Sequence, residues 1–228
     1  MSITENIKQY KNELESKGVQ LIAVSKNHDV KSISEAYLAG QRIFGENLVQ
    51  ELVEKQPQLP NDIEWHLIGH LQTNKVKYIA PFISLISSVD SLKLLKEINK
   101  QALKNNRIID CLLQVYIADE ATKYGLEFDE VVELLRDPEF KTLQNIRICG
   151  LMGIATNTAS EKQISAEFEE LKVLFNGLQQ SFFKNQPYFK EISMGMSSDY
   201  ELAIAQGSTM VRIGSSIFGK RKQTTNGA

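Results

Sequence analysis

Little in this sequence points to a secreted, membrane-spanning or nucleic-acid-binding protein. Only two of its 228 residues are cysteine, Cys111 and Cys149. Both sit inside apolar runs, DCLLQVYI and IRICGLMGI, and read as small core residues of a reducing compartment, not as a disulfide. No uninterrupted apolar run is long enough to cross a bilayer, and no stretch reads as a signal peptide. Charge of one sign is equally scarce. Lys and Arg number 26 against 28 Asp and Glu, a formal net charge of −2 with no long single-sign run. That balance argues for no nucleic-acid partner, and the basic Lys220-Arg221-Lys222 is too short to change it. A cytoplasmic protein with no membrane partner is the expectation.

With 42% hydrophobic and 24% charged residues, the chain can bury a sizeable core as one domain over residues 1–228. Ile3, Ile7, Tyr10 and Leu14 have helical spacing, and Gly18 ends that helix. An alternation follows. Strands are expected at residues 19–25, 42–44, 65–68, 83–86, 108–117, 146–150, 191–194 and 210–213. The segments between them read as helices at 30–39, 48–55, 74–79, 91–104, 128–136, 161–182 and 199–205. Eight strand–helix repeats match a (β/α)8 TIM barrel with an extra N-terminal helix. An open doubly wound sheet would want a glycine-rich first turn, and the first strand runs instead into SKNHD. Residues 221–228 read as a disordered tail.

The first strand, VQLIAVSK, ends on a lysine. Side chains alternate along a strand, so Ile22, Val24 and Lys26 share the inner face while Leu21, Ala23 and Ser25 take the other. An amine there is placed for Schiff-base chemistry, because burial favours its neutral form. Arg212 in MVRIG lies inward on the eighth strand, which a closed barrel sets beside the first. The loops after strands seven and eight are the usual phosphate site of a barrel. Here they read SMGMSSDYELAI and RIGSSIFG. Gly195 permits a tight turn, and Ser198 with Glu201 has capping-box spacing at a helix start. Gly214 lets backbone amides approach a ligand, and Ser215 and Ser216 offer hydroxyls. Two cations converging on a cavity need an anionic or polar ligand. If Arg212 instead plays a structural part, Glu46 or Asp90 would be its partner. Together these residues describe a pocket for a phosphorylated aldehyde, with pyridoxal 5′-phosphate the leading candidate.

The motifs AVSK, FGENLVQELVEK, WHLIGHLQTNK, SMGMSSDYELAI and GSTMVRIGSSIFGKR resemble the pyridoxal phosphate homeostasis protein family, from residue 4 to residue 221. That family is similar in fold to the N-terminal barrel of alanine racemase. The resemblance implies that Lys26 carries the internal Schiff base and that Arg212 faces the pyridine nitrogen. It also implies that Ser197, Ser198, Gly214 and Ser215 hold the phosphate, with Asn47 near the ring. No settled catalytic activity is attached to the family, which is linked to vitamin B6 balance. No catalytic residue is assigned here. A charged arginine cannot take a proton from the ring nitrogen, so the cofactor should be a weak electron sink. The racemases add a second domain that supplies an acid, and a chain ending at Ala228 is expected to lack one. The alternative functions are a small pyridoxal-phosphate racemase and a lysine aldolase. Apo-enzymes that receive the cofactor are candidate partners, and a monomer is expected.

Tyr116 and the GLMGIA segment depart from the family pattern, which leaves the substrate side of the pocket open. His66 and His70 straddle a strand and a glycine turn, so their spacing does not make a metal site. His66 reads as a hydrogen-bonded core residue and His28 as a pocket-mouth residue. Glu46 and Asn47 are expected to face the mouth, with Asn47 also able to cap the next helix. Asp119-Glu120 and residues 127–133 read as a solvated loop and helix face.

Overall fold

The strand segments are apolar on both faces, as parallel strands must be when helices cover one side and a barrel interior the other. The computed structural model describes residues 2–119 and 124–219. The chain opens with α1 (Ile3–Glu15), capped by Ser2, whose hydroxyl accepts from Glu5 N while Glu5 accepts from Ser2 N. Then follow β1 (Gln20–Val24), α2 (Val30–Leu38), β2 (Ile43–Glu46), α3 (Val49–Lys55) and β3 (Glu64–Leu67). The middle of the chain forms α4 (Val76–Ile79), β4 (Leu85–Val89), α5 (Leu92–Lys104), β5 (Ile109–Tyr116) and α6 (Phe128–Arg136). Next come β6 (Ile146–Ile154), α7 (Glu161–Ser181), β7 (Glu191–Met196), α8 (Tyr200–Ala205), β8 (Met210–Ile213) and α9 (Ser215–Phe218). All pairs are parallel, and β1 with β8 closes the barrel in the register Ile22 to Arg212 and Ala23 to Ile213. Among the described residues no helix is long and apolar enough to cross a membrane.

Two apolar layers result. Ile22, Leu85, Leu112, Cys149, Met152 and Met210 fill the barrel interior. The alternate residues of the same strands, such as Leu21, Ala23, Ile86 and Val211, pack outward on the helices. The interior layer is a floor beneath the C-terminal ends of the strands, where barrel sites lie. The helix α1 packs on α2, β1 and α9, and Asn6 Nδ2 donates to Ile217 O at 3.0 Å.

Several boundaries differ from the sequence reading. The fourth strand starts later, at Leu85, because Ile83 N still bonds Ile79 O at 2.9 Å in the turn that ends α4. Residues 74–79 split into a 3-10 turn (Thr73–Lys75) and the single turn α4. Strand six continues four residues past Gly150, since Leu151 to Ile154 keep pairing with Leu113 to Tyr116 of β5. The GLMGIA segment therefore continues the strand as far as Ile154. The short α9 has too few residues to show a period, and only the structure reveals it. Glu127 and Glu130 form the reciprocal cap of α6, so the acidic stretch is a helix start as well as a solvated face. Glu120, residues 121–123 and the tail from Lys220 lie outside the described residues.

Gly150 marks the closest approach between neighbouring strands. A Cβ there would lie 1.7 Å from Glu191 O on β7. Gly150→Ala must push β6 from β7, a cost of about 3 kcal/mol or more, which lowers the thermal midpoint by roughly 6–12 °C. A midpoint within about 2 °C of the parent would contradict this packing.

Candidate functional site

The sheet delivers Lys26 to the mouth by ending one residue short of it. Beyond Val24 the chain turns through Asn27, a non-glycine residue at φ 62°, and His28 N closes the turn on Ser25 O at 3.1 Å. Asp29 then caps α2 by accepting from Ser32 N at 2.8 Å. Lys26 is half-buried and lines a cavity of about 330 Å³. The His28 ring stacks on Phe218 of α9 with centroids 4.9 Å apart, which ties the β1 turn to the loop after β8.

The same cavity is lined by Asn47, Ser197, Ser198, Arg212, Gly214 and Ser215. The residues that the resemblance names are therefore brought to one place, whereas Ser216 does not line the cavity. Gly214 N and Ser215 Oγ approach Ser197 Oγ at 3.4 and 3.5 Å, so the loops after β7 and β8 face each other. Ile68, Ile154 and Met196 supply an apolar rim, whereas Tyr116, paired with Ile154 at the end of β5, does not line the cavity.

Arg212 is only 5% exposed. Its Nη1 donates to Ser193 O at 2.8 Å and Ser193 Oγ at 2.7 Å, and its Nη2 donates to Gly153 O at 2.9 Å. Neither Glu46 nor Asp90 pairs with it, and among the described residues no carboxylate lies within ion-pair distance. Burial lowers its pKa to about 10, so it stays charged near neutrality. Carbonyl dipoles orient this cation without neutralising it, and a polar or anionic ligand in the cavity would complete its shell.

Two readings of local detail change. The spacing of Ser198 and Glu201 does not make a cap. Asp199 occupies the cap position of α8, and its Oδ1 accepts from Met196 N at 2.5 Å, which ties the β7 turn back on itself. Gly195 at φ 94° makes room for this, since a Cβ would lie 2.6 Å from Ala203 Cβ. Glu46 does not face the mouth. It is fully buried on the outer face of β2, between sheet and α3, while Gly45 and Asn47 take the inner positions. Nor does Asn47 cap α3, whose cap position is Leu48.

Glu46 instead belongs to a buried charge cluster that sequence reasoning missed. Its Oε1 accepts from Ser25 Oγ at 2.6 Å and from Lys55 Nζ at 2.7 Å. Lys55 Nζ also donates to Ser25 O at 2.8 Å and Glu51 Oε1 at 2.6 Å. Strict alternation from Gly45 would have placed Glu46 outward, and the i,i+4 pair Glu51 and Lys55 was visible in QELVEK. Burial pushes the Glu46 carboxyl up to about 7, against the downward pull of Lys55 and Ser25.

At the opposite end of the barrel, His66 is buried with Nδ1 lacking a hydrogen-bond partner among the described residues, and burial holds its pKa near 4. It is a core histidine as expected, but one ring nitrogen is unsatisfied. His70 sits apart, its Nδ1 3.3 Å from Asp90 Oδ2.

Comparison with known proteins agrees with this architecture. The family model that matches is the alanine racemase N-terminal domain, over residues 1–222. The pyridoxal phosphate homeostasis protein of Aquifex aeolicus is 40% identical over 205 residues, 89% of this chain and 87% of that one. The structure of PipY from Synechococcus elongatus with pyridoxal phosphate bound has a TM-score of 0.85 at 38% identity. It covers 96% of this chain and 100% of that one. Alanine racemase from Bartonella henselae shares the barrel alone, at TM-score 0.70 and 18% identity over 98% of this chain and 60% of its own. The chain belongs to the alanine racemase N-terminal domain family and, within it, to the pyridoxal phosphate homeostasis proteins.

The Glu46 shift makes stability depend on pH. Folding raises this carboxyl from its ordinary 4.5 to about 7. Its contribution is therefore fully present below pH 4.5 and is lost as the pH rises through about 7. Glu46→Gln removes the titration, so its thermal midpoint should gain on the parent's across that window. A constant difference between the two midpoints would show that Glu46 does not titrate there.

Proposed function

We propose that this protein holds pyridoxal 5′-phosphate in the C-terminal mouth of its barrel, with Lys26 as covalent anchor. In this reading it serves intracellular vitamin B6 homeostasis without strong catalytic turnover. The observation that carries the reading is the cavity's donor set, a buried arginine without a carboxylate partner and three serines beside a half-buried lysine. That set fits a phosphate ester joined to an aromatic aldehyde. Ser197, Ser198, Gly214 and Ser215 would take the phosphate, Asn47 would lie against the ring, and Arg212 would face the ring nitrogen. The relatives named for this cofactor, and PipY with it bound, support the assignment.

Bound pyridoxal phosphate supplies an aldehyde that condenses with amines and a ring that withdraws electrons most strongly when its nitrogen is protonated. Arg212 works against that protonation. It already carries the positive charge at that position, and a guanidinium offers no lone pair to accept a proton. Lys26 can carry a proton on one face of the cavity. Among the described residues, the other ionisable side chains lining the cavity are His28 and Arg212. The alternative, a small amino-acid racemase, would need His28 as the second proton carrier, and its ring is stacked on Phe218. Apo-enzymes that take up the cofactor are the partners this reading asks for.

Two measurements test it. Lys26→Ala should lose covalent attachment yet keep noncovalent affinity in equilibrium dialysis, because the serines and Arg212 remain. Loss of all binding would contradict the pocket described. The loaded protein should exchange the α-proton of amino acids more slowly than about 1 per second, the low end of ordinary turnover. Faster exchange, abolished by His28→Asn, would establish the racemase instead.

A further inference from the structure

The residues on either side of Lys26 are both held by one buried charge cluster. On the N-terminal side, Ser25 Oγ donates to Glu46 Oε1 at 2.6 Å and Ser25 O accepts from Lys55 Nζ at 2.8 Å. On the C-terminal side, Asn27 N donates to Glu51 Oε1 at 2.5 Å. Lys55 Nζ joins the two arms, at 2.7 Å from Glu46 and 2.6 Å from Glu51. These groups do not line the cavity. Barrel closure does not require them either, since Ser25 N already bonds Gly45 O at 3.0 Å. Taking two carboxylates and an ammonium out of water is costly, and Glu46 Oε2 has no hydrogen bond among the described residues. What the cluster secures is the conformation of three residues, including Asn27 at φ 62°.

We infer that Glu46, Lys55 and Glu51 are positioning residues that lock the β1 turn so that the Lys26 amine points into the cavity. This rests on the reading of Lys26 as the covalent anchor. Covalent addition depends steeply on where the amine is held. Releasing either arm lets Asn27 relax and the amine swing away, while the phosphate loops, Asn47 and Arg212 stay in place.

The test compares the parent with Lys55→Met, Glu51→Ala and Glu51→Gln. Glu51 lies at the cluster's solvent edge, so its variants fold even if Lys55→Met does not. In the unloaded protein, hydrogen exchange at the Asn27 and His28 amides should rise by roughly tenfold in Lys55→Met and Glu51→Ala. It should stay near the parent in Glu51→Gln, which keeps an acceptor for Asn27. With pyridoxal phosphate added, borohydride-trapped adduct at Lys26 should form about tenfold more slowly in the first two variants. In a Lys26→Ala background the same changes should leave noncovalent affinity within about twofold. An unchanged trapping rate overturns the inference, as does an equal loss of affinity in the Lys26→Ala background. If the parent itself yields no adduct at Lys26, the covalent reading falls separately. Amide exchange then decides, and unchanged exchange at Asn27 and His28 overturns the clamp.

Discussion

A guanidinium buried among backbone carbonyls keeps its charge with no carboxylate in ion-pair contact among the described residues, and Arg212 imposes that condition on the barrel mouth. Three hydrogen bonds to β6 and β7 fix its direction. Its register opposite Ile22 sets it just above the apolar floor and below Lys26. The loops after β7 and β8 add hydroxyls at the same opening. A cavity with these donors and so little negative charge is built to receive an anion with a polar ring. The rest of the barrel is scaffolding for that arrangement.

The protein solves the problem of a buried cation in two ways, one on each face of the sheet. Lys55 is fully compensated by Glu46 and Glu51 on the outer side of β2. Arg212, on the inner side, has dipoles and the more distant charge of Asp199, but no carboxylate within ion-pair distance among the described residues. The first solution stiffens the turn that carries Lys26. The second leaves a binding requirement for a ligand to meet. One face of the sheet therefore supplies order and the other supplies affinity, and strand alternation keeps the two apart.

Much of this was legible in the sequence, where period two and chain order carried the information. The inward placing of Ile22 and Val24 followed from alternation alone, as did that of Arg212, and the closed order of strands put β1 beside β8. Long periodic helices such as α5 and α6 were found within a residue. The misses have different causes. Gly150 and Gly153 look like strand breakers, yet β6 runs through both because β5 pairs with it there. Glu46 was read with its neighbours at the mouth when alternation turns it outward. Asp199, not Ser198, takes the cap position of α8, and its carboxylate turns back to Met196 N instead of bonding the helix, a contact no spacing rule encodes. The four residues of α9 carry no period at all.

Everything proposed for this barrel depends on Lys26 as the anchor of pyridoxal phosphate. Incubation of the purified protein with pyridoxal phosphate, borohydride reduction and peptide mass mapping tests it most directly. A phosphopyridoxyl adduct confined to the peptide containing Lys26 is the expected result. Labelling scattered over surface lysines, or absent, would contradict the anchor and bring forward a lysine aldolase acting on a phosphorylated sugar.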